Sequence, residues 1–169
     1  KNHRSGLELQ DKQASGIILD VWARASLGRL PAEHIEVELK RDRHDAQGQG
    51  QVLFASGVYK LHQGALGDAC KQFEQAIEIV NRAGVCNSYT LPFSAWLATA
   101  YRLLAESLPD YTPTRRKKLL RKAAITAFRT SLCCWRCHND LPHLYRERAL
   151  LNGLKGRSRA AKKHLFKSL

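Results

Sequence analysis

The densest group of side chains able to do chemistry is the run Cys133-Cys134-Trp135-Arg136-Cys137-His138. On a helix, Cys133 and Cys137 lie one turn apart, and so do Cys134 and His138. Thiolates and imidazoles in such sets suit zinc, which takes four ligands in a tetrahedral array, usually from two separated pairs. No second Cys/His pair with matching spacing occurs, and Cys70 and Cys86 stand alone. The run therefore reads as small apolar residues at a helix end, the commonest role of a free cysteine. A Cys–His nucleophile is not indicated either, since nothing marks a third group that would orient the imidazole. The expectation is a chain with no catalytic residue, no bound metal and no cofactor.

A second chemical feature is the basic run Arg115, Arg116, Lys117, Lys118, followed by Arg121 and Lys122. On a helix these cover a broad outer arc while Leu119, Leu120, Ala123 and Ala124 point inward. Arg157, Arg159, Lys162, Lys163 and Lys167 decorate another helix, and the formal charge of the chain is +13. Phosphate contacts need such charge. Aromatic residues that would stack on bases are not interleaved with it. Charge alone reports solubility and non-specific attraction, so an RNA- or DNA-binding role stands as an alternative and not as the first reading.

The elements that position these residues are written three times in one frame. Leu53 and Gly57 are followed by Ala69, Phe73 and Ala76; Tyr145 and Ala149 are followed by Ala161, Leu165 and Ser168. Between them, Trp96 and Ala100 resume at Ala124, Phe128 and Ser131 after a longer connection. Residues four apart share a helix face, and small residues there let a second helix come close. The twelve-residue step carries the chain through a turn into the next helix. Gly64 and Gly156 sit where helices end, and Asp68 is placed to cap the helix that follows. A repeated helix pair means a stacked solenoid, an architecture that binds other chains far more often than it catalyses.

This frame resembles the tetratricopeptide repeat, a helix-turn-helix unit of about 34 residues. The match covers Gln49–Arg82 and Leu141–Leu169, and more loosely Pro92–Trp135, where Pro109 and Pro113 lengthen the turn. The implied fold is all-α, a right-handed α-α superhelix of helix pairs forming one domain over residues 1–169. Its parts are a degenerate pair at 17–41, repeats at 49–83 and 92–135, and a truncated repeat at 141–169. A narrower resemblance lies in Asn87-Ser88-Tyr89-Thr90-Leu91-Pro92, Trp96-Leu97-Ala98-Thr99-Ala100-Tyr101-Arg102, Asn139-Asp140-Leu141-Pro142-His143 and Gly156-Arg157-Ser158-Arg159-Ala160-Ala161. These strings look like the repeat region of large bacterial serine/threonine kinases. That resemblance implies a scaffolding region whose parent carries its chemistry elsewhere, because the chain has no glycine-rich phosphate loop, His-Arg-Asp or Asp-Phe-Gly. A sensor arm of an ATPase-type transcriptional regulator is the alternative of the same class.

In such a solenoid the first helix of each pair lines the concave side. Helical phase puts Gln51, Phe54, Val58, His62, Leu97, Tyr101, His143 and Arg146 there, as a groove for a protein or peptide partner or for another part of the same chain. The punctuation predicts helices near 16–27, 31–41, 46–63, 67–83, 92–107, 113–135, 141–154 and 157–169, after an indeterminate start over 1–14. Asp140 would cap the seventh helix, with Pro142 in its first turn. No run approaches 18 apolar residues, so no membrane span is expected, and no secretory signal is visible. Five cysteines, mostly placed like apolar helix residues, point to a reducing, cytoplasmic setting. A first residue Lys1, no methionine, and an apolar stripe stopping at Leu165 and Leu169 read as an internal piece of a longer protein.

Overall fold

The computed structural model describes residues 12–133 and 138–169, with side chains from residue 14 onward. Among the described residues the chain is all-helical: α1 (Lys12–Ala25), α2 (Ala32–Lys40), α3 (Ala46–His62), α4 (Leu66–Arg82), α5 (Leu91–Glu106), α6 (Pro113–Cys133), α7 (Leu141–Gly153) and α8 (Ser158–Phe166). A single 3-10 turn, His138–Asp140, leads into α7, and no strand is present among these residues. The eight helices match the eight expected from punctuation, with ends displaced by at most four residues. The expectation for the start over 1–14 falls largely outside the described residues. No helix of the described residues is long and apolar enough to cross a membrane.

The turns follow from glycine. Gly64, Gly84 and Gly156 adopt φ of 73°, 68° and 69°, the left-handed conformation that closes a helix and frees its last carbonyls for turn donors. The amide of Ala65 then reaches Lys60 O at 2.9 Å, and that of Arg157 reaches Asn152 O at 2.9 Å. Starts are less regular. α3 opens on Asp45, whose carboxylate accepts from the Gly48 amide at 2.5 Å. The expected cap by Asp68 is not formed: α4 begins two residues earlier, at Leu66, and Asp68 in its first turn pairs with Lys71 at 3.0 Å. Asp140 does stand at the start of α7 with Pro142 in the first turn, but its backbone is helical and its side chain makes no capping bond.

The chain divides into two compact units, Lys1–Phe93 and Ser94–Leu169, the division falling within α5. In the first unit α3 is the inner helix. Val52, Phe54, Ala55, Gly57 and Val58 are buried, so this helix is covered on most of its circumference by α1, α2 and α4. α4 presents the expected stripe: Ala69, Phe73 and Ala76 have no exposed surface. A Cβ on Gly57 would lie 2.7 Å from Cδ1 of Phe73, and one on Gly50 would lie 2.8 Å from Cγ1 of Val80. The two contacts run in opposite senses along the two helices, so α3 and α4 are antiparallel. Phe73 also meets Phe54 at 5.4 Å between centroids, and Phe54 stacks on Phe93 at 4.7 Å. Full burial of one such side chain stabilises by roughly 1.5–3 kcal/mol. Polar links tie α1 to its neighbours: the Gln51 amide donates to Asp20 at 3.3 Å, Ser15 donates to Glu38 at 2.9 Å, and buried Arg43, itself paired with Glu38, donates to the Ser15 hydroxyl at 3.1 Å.

In the second unit α6, α7 and α8 pack in sequence, α6 on α7 and α7 on α8. Ala100 and Ala149 are buried, as the repeat frame requires. The phase of α6 differs from that frame. Its buried residues are Ala123, Ala127 and Thr130, not Ala124, Phe128 and Ser131, and Phe128 is half exposed. Adjacent apolar residues leave α6 two faces of similar hydrophobicity, and the smaller one packs.

A candidate partner-binding surface on the second unit

The sequence of α6 makes a strong helix on its own account. It contains no glycine, and alanine, leucine, lysine and arginine dominate it. Pro113 opens it, where a missing amide proton costs nothing. Because the small residues Ala123, Ala127 and Thr130 turn inward, the larger ones are left outside: Ile125, Phe128 and Leu132 are 42, 50 and 59% exposed. With Leu120 and Ala124 they floor a cleft of about 1030 Å³. Arg116, Lys117, Arg121 and Arg129 from the same helix, and Lys155 and Arg157 from the α7–α8 turn, form its rim.

The cleft is held by neighbours with specific geometry. Arg148 of α7 donates to the Ser131 hydroxyl at 3.2 Å and lies over the Phe128 ring at 5.5 Å. Lys122 donates to the Tyr101 hydroxyl at 3.4 Å, with its ammonium 4.9 Å from that ring's centroid. α7 is braced against α5 by Arg102, whose Nε and Nη2 donate to the two oxygens of Glu147 at 2.7 and 3.2 Å. Nη1 of Arg102 reaches Glu106 at 2.7 Å. Burial works against the Arg102 charge, but the hydrogen bonds and charges of Glu147 and Glu106 outweigh it and hold the guanidinium protonated. Beside this pair, His143 Nε2 lies 2.8 Å from the Thr99 hydroxyl and its ring meets Trp96 edge-on. Burial, then the nearby Arg146 charge, pushes the His143 imidazole down to about 4.

The charge of the chain is segregated. Residues 94–169 hold 17 Lys and Arg against four Asp and Glu, whereas residues 1–93 hold eleven of each, so the whole excess of +13 belongs to the second unit. The rim of the cleft concentrates it. Arg116 has Asp110 at 3.6 Å, and the other five rim cations make no ion pair among the described residues.

Of the residues expected to line a concave groove, Gln51, Phe54, Val58, Leu97 and Tyr101 are buried. Side chains without open surface do not receive a partner; they belong to the core of α3 and α5. His62 and Arg146 are exposed, and His143 is half buried and bonded within its own unit. In the basic run Arg115, Lys117, Lys118, Arg121 and Lys122 are exposed and Arg116 partly so; of the four residues expected to point inward, Ala123 is buried, whereas Leu120 and Ala124 line the cleft. Cys133 and His138 are exposed, while Cys134 and Cys137 lie outside the described residues. The apolar cleft was not among the expected sites. Only the phase of α6 reveals it, and that phase depends on which of two apolar faces packs. No known family, curated protein or solved structure matches the chain.

Proposed function

We propose that this chain is a non-catalytic, helical-repeat interaction region of the tetratricopeptide kind, and that it holds another polypeptide for a larger signalling protein, such as a serine/threonine kinase with repeats beyond its catalytic part. The observation that carries this reading is the open apolar cleft on α6, on a unit built of stacked helices. Monomeric surfaces seldom leave several large apolar side chains together in water without a partner. The repeat frame shared by Leu53/Gly57, Trp96/Ala100 and Tyr145/Ala149 supports it, because all three small residues are buried.

A nucleic-acid role is favoured by one specific observation, the confinement of the +13 excess to residues 94–169. The apolar floor of the cleft weighs against it. Selection of peptides from a random display library on the purified chain decides between the two. Enrichment of a related set of peptides, with binding that survives moderate salt, supports the interaction reading. No enrichment, together with RNA or DNA binding that falls steeply with salt, overturns it.

A further inference from the structure

We propose that the cleft on α6 seats an acidic amphipathic helix, with carboxylates of the partner against the cationic rim and its apolar stripe on Phe128, Ile125 and Leu132. The proposal rests on the interaction reading above and specifies the partner's chemistry.

The form of the cleft selects a helix. Leu120, Ala124, Phe128 and Leu132 recur every four residues, so the floor runs along α6 for three turns, about 18 Å. A groove of that length and spacing is met by apolar anchors at i, i+3, i+4 and i+7 of a partner helix. The charge of the cleft selects the sign. Arg116, Lys117, Arg121 and Arg129 of α6, with Lys155 and Arg157, rim the apolar floor, and no acidic side chain lines the cleft. A partner must therefore bring an apolar stripe to the floor and carboxylates flanking it to the rim.

Two other occupants fit less well. A second copy of this face would set arginine and lysine against arginine and lysine, since the unit that bears the cleft carries the entire charge excess. A phosphate backbone would satisfy the cations but would leave the apolar floor covered by nothing suited to it, with Phe128 as its one ring for stacking.

The test uses the full 169-residue chain and a fluorescent synthetic peptide of about 16 residues, with leucine and phenylalanine at helical spacing and glutamate elsewhere. A control peptide has the same composition in permuted order. Binding is read by anisotropy, and the contact region by hydrogen exchange. The ordered peptide is expected to bind at least tenfold tighter than the permuted one and to slow exchange in 113–133. F128S and R121E, both at exposed positions, should each weaken it about tenfold. R121E should also flatten the salt dependence, and it keeps the test decisive where F128S alters the fold.

Equal binding of the two peptides would mean charge alone, and would overturn the proposal. So would a 20-residue RNA oligonucleotide whose affinity exceeds the peptide's and is unchanged in F128S, or a dimer in sedimentation that F128S abolishes. Peptides from the display selection that bind while protecting other segments would remove this site but leave the interaction reading standing. Failure of designed and selected peptides alike would remove both.

Discussion

Glu147 on α7 receives two hydrogen bonds from Arg102 on α5, at 2.7 and 3.2 Å, from a residue 45 positions earlier in the chain. The carboxylate is 1% exposed and the guanidinium 10%. Truncating one partner leaves the other's charge in the interior, a loss of about 3–5 kcal/mol. Glu147→Ala should therefore lower stability by that order in urea denaturation at neutral pH, and Glu106 offsets part of it through its own bond to Arg102. The double variant Arg102→Met/Glu147→Leu should cost much less than either single change. Equal costs for singles and double would show that the pair matters only as packing.

Gly57 stands where the Phe73 ring leaves no space for a side chain. Gly57→Leu should cost about 1–3 kcal/mol in a thermal or urea melt, and Ala149→Leu should fall in the same range. Phe73→Ala in the background of Gly57→Leu should return part of the loss, since the cavity accepts the added atoms. Unchanged melting of Gly57→Leu would contradict the close approach of α3 and α4.

The phase of α6 has its own test. Ala127 is fully buried and Phe128 half exposed. Ala127→Leu should destabilise by about 1–3 kcal/mol, whereas Phe128→Ser should cost about 1 kcal/mol or less. The opposite order would restore the frame in which Ala124, Phe128 and Ser131 face inward.

The imidazole of His143 binds its proton less readily in the fold than in the unfolded chain, at about 4 against an ordinary 6.5. Between these values the unfolded state holds more protons, so stability rises with pH across this window and is lost as pH falls through it. The full loss, reached near pH 4, is up to about 3 kcal/mol. The His164 imidazole is also held below its ordinary value, by burial and then by Arg148, Lys167 and Lys163, and adds in the same direction. Urea midpoints measured from pH 7 down to pH 4 should fall, and His143→Gln should flatten the curve. A variant curve parallel to the parent's would show that other groups set the acid sensitivity.

Much of the helical layout was legible in single residues. Glycines at 64, 84 and 156 mark ends because each takes a positive φ. Pro142 sits in the first turn of α7 because its ring suits that place. The stripe Ala69, Phe73, Ala76 was legible because one face of α4 is apolar and the opposite face charged. Capping was less so: Asp68 and Asp140 have the right residue type, but cap geometry is set by the backbone entering the helix, which residue type does not determine. The phase of α6 was hidden because Leu119 and Leu120, Ala123 and Ala124, and Ala127 and Phe128 are adjacent pairs, each offering two faces. Gln51, Phe54, Val58, Leu97 and Tyr101 are buried because α3 and α5 carry buried residues on several sides. A period in the sequence shows which residues share a face, not how many faces are covered.

Gly48, Gly50 and Gly57 all lie in α3, the most enclosed helix of the first unit. In isolation each costs about 1 kcal/mol of helix stability relative to alanine, so a peptide of residues 46–62 should be mostly coil in water. α3 therefore owes its helicity to the helices around it. Its amides should have no private route to solvent, because fraying cannot begin in an element whose neighbours must leave first. Exchange of its amide protons should track the opening of the entire first unit, while the ends of α4 exchange on their own. The segment least able to hold a helix alone becomes the slowest to release its protons once assembled.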